Sequence, residues 1–220
     1  MSDGGGRVLL LVGSPKGLEK SNSARFGRMV VDRLERRGWA SEAVHLHAAV
    51  RTEAGRQALL DAVDTASVVL FAAPLYIDSL PAPAIRALET IAAHRRAGSV
   101  SRVPRFVTLI NCGFVEPSQN DTCQWILRRF AERTGFEWLA GVSLGGGGRV
   151  PKRVREAFDI LAESIDLEIL VPDEVERLTR KPIMPSWLYV VVGNSMWRRW
   201  AARSGVEERL GDRPYERLDS

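Results

Sequence analysis

The sequence predicts an α/β protein built on a parallel β-sheet. Short β-branched or leucine-rich runs alternate with segments of helical periodicity, which is the sequence mark of βαβ units. The runs are apolar enough to be covered on both faces, as strands of parallel sheets are. A length of 220 residues allows one large domain, or one domain with an appendage. The composition, with 45% hydrophobic and 26% charged residues, is that of a soluble globular chain and excludes disordered and fibrous classes.

Five strands are expected, at Arg7–Val12, Glu42–Leu46, Ser67–Ala72, Arg105–Ile110 and Glu137–Leu144. After the first, Ser23 reads as the cap of a helix in which Phe26, Val30 and Leu34 recur on one face, with Gly38 as its stop. Thr52–Ala62 carries a modest helical stripe. Pro83–Ala97 carries a firmer one, with Ile85, Leu88, Ile91 and Ala92 on one side. Asn120 or Asp121 caps the next helix, where Cys123, Ile126, Leu127, Phe130 and Thr134 share a face before Gly135. Pro151 suits the first turn of another, with the stripe Val154, Phe158, Leu161, Ile165 and Ile169.

Beyond Val171 the pattern changes. Pro172, Pro182 and Pro185 interrupt the chain before helical spacing resumes over Ser186–Ser204, so residues 172–220 are expected to form a tail with one amphipathic helix. The face holding Trp187, Val190, Val191, Asn194, Trp197 and Ala201 is read as packing on the domain or on a second subunit, with attachment to a membrane surface as the alternative.

Charge and cysteine content narrow the partners. The 31 basic residues are mostly arginine and are interleaved with 27 acidic ones, so a net charge of +4 is not the footprint of a nucleic-acid-binding protein. Two cysteines supply neither a disulfide framework nor a zinc quartet. Met1 to Gly6 has no apolar run, and the longest apolar stretch, Trp187–Val192, is far short of the roughly 20 residues that span a bilayer. A cytoplasmic protein is therefore expected.

In an open parallel sheet, ligands bind beyond the carboxyl ends of the strands. The loop after the first strand, Gly13 to Ser23, is rich in hydroxyls and small residues, holds Lys16 and leads into a helix N-terminus. Those features suit an anion, most plausibly a phosphate. The loop lacks the Gly-Lys-Ser/Thr of a Walker motif and the Gly-x-Gly-x-x-Gly of a dinucleotide fold, which leaves a mononucleotide. After the third strand, Ala73 to Pro81 puts Leu75, Tyr76 and Ile77 where a strand end meets solvent; either a flat ring lies there or Leu75, Tyr76 and Leu80 fold back into the core. After the fourth, Asn111-Cys112-Gly113-Phe114-Val115-Glu116-Pro117 places a glycine for close backbone approach.

Taken together, Gly-Ser-Pro-Lys with Ser-Asn-Ser at Gly13–Ser23, Pro-Leu-Tyr-x-x-Ser-Leu-Pro at Pro74–Pro81 and Asn-Cys-Gly-Phe-x-Glu-Pro at Asn111–Pro117 resemble the NAD(P)H-dependent FMN reductases of the flavodoxin-like fold. The resemblance covers residues 7–170 and implies a three-layer sandwich with strand order 2-1-3-4-5. It implies that Ser14, Lys16, Ser21, Asn22 and Ser23 hold the FMN phosphate. Pro74, Leu75, Tyr76, Ile77 and Asp78 would hold the isoalloxazine, with Asn111, Gly113 and Phe114 beside the ring. The family tends to have arginine where Lys16 stands and glycine where Ser21 stands. It further implies NAD(P)H as electron donor, a flavin, quinone or similar small acceptor, and a homodimer.

Competing signals are weaker. Gly141-Val142-Ser143-Leu144-Gly145 matches a nucleophile elbow, but His45, His47 and His94 all precede Ser143, whereas that fold needs its histidine downstream. His45 and His47 lack the neighbours of a metal site. Cys112 is read as a packing residue. The run Gly145–Gly148 either lines the substrate side of the flavin or is a mobile loop, and Arg149, Lys152, Arg153 and Arg155 either meet a 2′-phosphate or form a solvated helix face. A flavodoxin-type electron carrier and a fold that has lost its flavin remain as alternatives; the first is disfavoured by the positive net charge.

Overall fold

The computed structural model describes residues 6–98 and 102–212; of the segment Met1–Gly6, only Gly6 lies within them. Backbone contacts divide the chain into two units, Met1–Ile183 and Met184–Ser220.

The first unit is built on β1 (Arg7–Val12), β2 (Ala40–His45), β3 (Val68–Pro74), β4 (Arg105–Asn111) and β5 (Glu137–Leu144). All pairings are parallel, in the order β2-β1-β3-β4-β5. The two-residue period of a strand sends alternate side chains to opposite layers. Leu9, Leu11, Val69, Phe71, Phe106 and Ile110 enter one core, while Val8, Leu10, Val12, Leu70, Val107 and Leu109 enter the other. The expectation that every strand is covered on both faces fails at the edge: all six residues of β2 are exposed or half-buried.

Helices α1 (Asn22–Glu35) and α6 (Lys152–Asp166) cover one face. The short α2 (Leu46–Ala49), α3 (Glu53–Thr65), α4 (Ala82–Ala97) and α5 (Asp121–Thr134) cover the other. The helices depart from the sequence expectation at three points. The cap of α1 is Ser21, whose hydroxyl accepts from Ala24 N–H at 3.2 Å, and Ser23 lies inside the first turn. The last turn of α6 closes at Asp166, so Ile169 falls outside the helix and is exposed. Ile85 on α4 and Ile126 on α5 do not enter the core; they are 38% and 52% exposed, on the helix flanks next to the buried Leu88 and Leu127.

A seven-residue helix, α7 (Asp173–Thr179), follows Pro172 and was not anticipated. Asp173, Glu174 and Glu176 complement the positive end of its dipole. Its buried residues, Val175 and Thr179, are too few to give a readable period. The second unit consists of α8 (Ser186–Arg203) and a 3₁₀ turn, Glu207–Arg209. Trp187, Val190, Val191 and Trp197 of α8 are all exposed, and the Trp197 and Trp200 rings meet edge to face at 5.2 Å. No helix among the described residues is long and apolar enough to cross a membrane.

Candidate functional site

The carboxyl ends of β1, β3 and β4 open into three loops that are tied to one another. Gly13 N–H donates to Ala72 O at 2.8 Å and lays the first loop against β3. A Cβ on Gly13 would meet the Cβ atoms of Ala73 and Ala84 at 2.9 and 3.0 Å, so a larger residue would lift the loop from the sheet. Ser14 is buried, and its hydroxyl accepts from Lys16 N–H at 3.2 Å. His45, at the end of β2 beside Val12, sets Nε2 2.8 Å from Ser14 O and holds the loop from the other side. This pinning role went unread in the sequence; the signal was the position of His45 at a strand end adjoining the loop.

Asn111 joins all three loops. Its carbonyl accepts from Leu75 N–H at 2.8 Å, and its side-chain oxygen accepts from the Ser23 hydroxyl at 2.7 Å. Both Asn111 and Ser23 are buried. As the last residue of β4 it also stands in register with Pro74 and Leu144.

The second loop turns in two residues. Tyr76 and Ser79 exchange backbone hydrogen bonds at 2.8 and 3.1 Å around Ile77 and Asp78, whose φ angles are +47° and +58°. This is the geometry of a type I′ turn, which ordinarily takes Asn-Gly. A β-branched isoleucine there costs about 1–3 kcal/mol, and its side chain is 99% exposed. Pro74 is buried at the end of β3, and Leu75 and Leu80 turn back into the core, whereas Tyr76, expected to fold back with them in one of the two sequence readings, does not. Tyr76, Ile77 and Asp78 are left open to solvent.

Gly113 and Phe114 are exposed at the crest of the third loop. The glycine run after β5 is hydrogen-bonded to the third loop: Gly147 N–H donates to Cys112 O at 3.0 Å, and Gly146 N–H to Phe114 O. A Cβ on Gly145 would stand 2.5 Å from Val115 O. Arg25 of α1 donates to Gly148 O, and the Asn22 side chain lies against Gly148. The run therefore borders the first and third loops, a role that composition alone did not reveal. Of the neighbouring basic group, Arg153 is engaged, donating to Lys181 O at 2.7 Å and Pro182 O at 3.1 Å.

Among the predicted residues, Ser14, Ser21, Ser23, Pro74, Leu75 and Asn111 are buried and form the base of the site, while Lys16, Asn22, Tyr76, Ile77, Asp78, Gly113 and Phe114 face outward. The side chain of Lys16 makes no ion pair among the described residues. The α1 N-terminus has no acidic residue in its first turn, and Asn22 and Ser23 sit where backbone N–H groups lack carbonyls one turn back. Cys112 is not an activated nucleophile. Burial pushes its thiol above the usual range, and burial pushes Cys123 up to about 12. Both thiols are expected to react with iodoacetamide at pH 8 more than tenfold slower in the native than in the unfolded protein, as mass spectrometry would report. Because the unfolded Cys123 thiol ionises near 9.0, its contribution to stability is present below that pH and is lost as pH rises from there toward 12.

The order of the parallel strands reverses between β1 and β3, with α1 on one face and α4 on the other, and the three loops meet at that switch point. Among solved structures the chain is similar to an NADH:FMN oxidoreductase in its apo form, with a TM-score of 0.56 and 15% identity over 82% of this chain and 96% of that one. It is likewise similar to a flavodoxin from Streptococcus pneumoniae, with a TM-score of 0.54 and 14% identity over 74% of this chain and 99% of that one. The fold is flavodoxin-like. A third flavodoxin-like neighbour is an FMN-dependent NADH-azoreductase from Bacillus anthracis in complex with FMN, with a TM-score of 0.52 and 13% identity over 79% of this chain and 99% of that one. No family model matches the sequence, and no curated protein matches it.

Proposed function

We propose that this chain is an FMN-dependent oxidoreductase that takes electrons from NAD(P)H and passes them to a flavin, a quinone or another small acceptor. The observation that carries the reading is the joining of the three loops at Asn111, which puts an anion-suited helix N-terminus and two exposed aromatic side chains at one end of the sheet. The names of the similar structures, an NADH:FMN oxidoreductase and an FMN-dependent NADH-azoreductase, support the choice of cofactor and donor.

The residues fit the group. The first turn of α1 carries no carboxylate to oppose a phosphate, Lys16 supplies a point charge, and the Asn22 and Ser23 N–H groups are free of helical partners. The Ser23 hydroxyl spends its proton on Asn111, so its part is to fix the loop. Tyr76 and Phe114, 44% and 53% exposed, offer apolar flanks to a flat ring, and the backbone of the second loop supplies donors to its edge. FMN, when bound, supplies the hydride and electron chemistry that the side chains lack. The chain's own work is to bind, orient and cover it.

The protein is further read as a homodimer. An apolar groove between α4 and α5, lined by Leu80, Ile85, Leu88, Ile126 and Phe130, starts at the second loop and suits a contact beside the flavin site.

Titration of the purified protein with FMN tests the reading. Binding should quench flavin fluorescence with a dissociation constant in the micromolar range or below, in a species that sediments as a dimer. Lys16→Ala should weaken binding about tenfold, the worth of one charge-assisted contact, without lowering stability, because the side chain is exposed. A protein that binds no FMN would overturn the proposal, and one that binds FMN without oxidising NADPH in the presence of a quinone would favour an electron carrier.

A further inference from the structure

A second cavity of about 1060 Å³ opens on the α2–α3–α4 side of the sheet. Its lining includes His47, Arg51, Arg56, Arg86 and Thr90, and no carboxylate. The three arginines come from different elements: Arg51 follows α2, Arg56 lies in the first turn of α3, and Arg86 lies in α4. Several arginines elsewhere pair with acids, as in Arg33 with Asp159, Arg129 with Glu132 and Arg180 with Asp121, while others, such as Arg28 and Arg96, have no ion pair among the described residues. In the cavity only Arg56 is so paired, with Glu53, and a further bond from its Nη1 to Val50 O at 3.0 Å fixes it in place. The guanidinium groups of Arg51 and Arg86 have neither an ion-pair nor a hydrogen-bond partner among the described residues. His47 Nδ1 is buried and also without a hydrogen-bond partner there.

We propose that this cavity binds an anion bearing a phosphomonoester or diphosphate group. Two unpartnered forks of donors, Arg51 and Arg86, arrive from separate elements beside the already engaged Arg56, and the tetrahedral oxygens of a phosphate can engage several guanidinium groups at once. Thr90, also in the lining, donates its hydroxyl proton to Arg86 O at 2.8 Å and so ties the two residues within α4. The cavity lies near the first loop: the His47 ring stacks on that of His45 with centroids 6.0 Å apart, and His45 Nε2 lies 2.8 Å from Ser14 O. The inference stands on these side chains and holds whether or not the chain binds flavin. The phosphate can belong to the nicotinamide dinucleotide donor or to a separate phosphorylated small molecule.

The test is calorimetric titration of the full chain with inorganic pyrophosphate and with adenosine 2′,5′-bisphosphate, in wild type, Lys16→Ala, Arg51→Ala/Arg86→Ala and Arg51→Glu/Arg86→Glu. The expected result is binding that survives Lys16→Ala, falls about tenfold in the double alanine variant and is abolished by charge reversal, with circular dichroism unchanged. Loss in Lys16→Ala with retention in the arginine variants would assign the anion to the first loop and overturn the proposal. Absence of binding by either ligand to wild type would also overturn it. Tighter binding of the bisphosphate than of pyrophosphate, together with a rise of KM for NADPH but not NADH in Arg51→Ala/Arg86→Ala, identifies the donor as the source. Binding of pyrophosphate with both KM values unchanged identifies a separate phosphorylated ligand.

Discussion

Asn111→Ala is expected to lower stability by about 1–3 kcal/mol, the cost of leaving a buried hydroxyl without its partner, and to weaken FMN binding more than tenfold. Ser23 is 1% exposed, and its hydroxyl donates to the Asn111 side chain. Removing the acceptor strands that proton away from water. It also unties the first loop from the third, while the backbone bond from Leu75 N–H to Asn111 O survives and keeps the second loop in place. A double-mutant cycle separates the two consequences. Ser23→Ala in the Asn111→Ala background should cost less than Ser23→Ala alone by about 1 kcal/mol, because no group is then left unpaired. Urea midpoints measure the cycle, and strictly additive losses would show that the pair does not couple. Flavin affinity should fall in both single variants and should not recover in the double one.

Arg95→Ala is expected to be the most destabilising change away from the site, at about 2–4 kcal/mol. Arg95 belongs to α4, is 6% exposed, and reaches the carboxyl end of α5. There Nε donates to Thr134 O at 2.6 Å and Nη2 to Gly135 O at 2.7 Å, so one guanidinium satisfies two carbonyls that the helix leaves open. Its Cζ also lies over the Phe136 ring, 4.1 Å from the centroid. Burial lowers its pKa and Asp64 opposes the shift, but an arginine keeps its charge at any pH of interest. Arg95→Lys should recover less than half of the loss, since an ammonium group cannot reproduce the planar fork. Denaturant unfolding with an unchanged slope would attribute the effect to the native state. A loss under 1 kcal/mol would mean that water replaces the guanidinium at the helix end.

The sheet was legible because buried strands announce themselves: Val8–Val12 and Val68–Ala73 are continuous apolar runs bounded by turn residues, rich in the β-branched and aromatic side chains that strands favour. The boundaries drifted at β2, where an edge strand mixes Ser41, Glu42 and His45 with apolar residues. Elements held by few side chains were unreadable, α7 through Val175 and Thr179 and α2 through Leu46 alone. Capping was misplaced by two residues because Ser21 and Ser23 are chemically alike, and only the position of Asn111, 88 residues away, decides which hydroxyl caps and which bridges. The same limit applies to the loops. Their residue types pointed to an anion and a flat ring, but nothing local distinguished Leu75, which returns to the core, from Tyr76, which stays outside. The arginine cavity was invisible for a related reason: Arg51, Arg56 and Arg86 are ordinary surface residues until α2, α3 and α4 bring them together.

The bond between Ser23 and Asn111 also has a place in the order of folding. It joins the start of α1 to the end of β4, with β3 standing between β1 and β4 in the sheet. Closing so long a span is slow and waits for the intervening pairings. The site is thus completed only when half the sheet is already in register, and it is absent from any intermediate that has assembled β1, β2 and β3 alone. A ligand that needs this site cannot rescue such an intermediate; it draws only on the finished native state, and so slows unfolding more than it hastens folding.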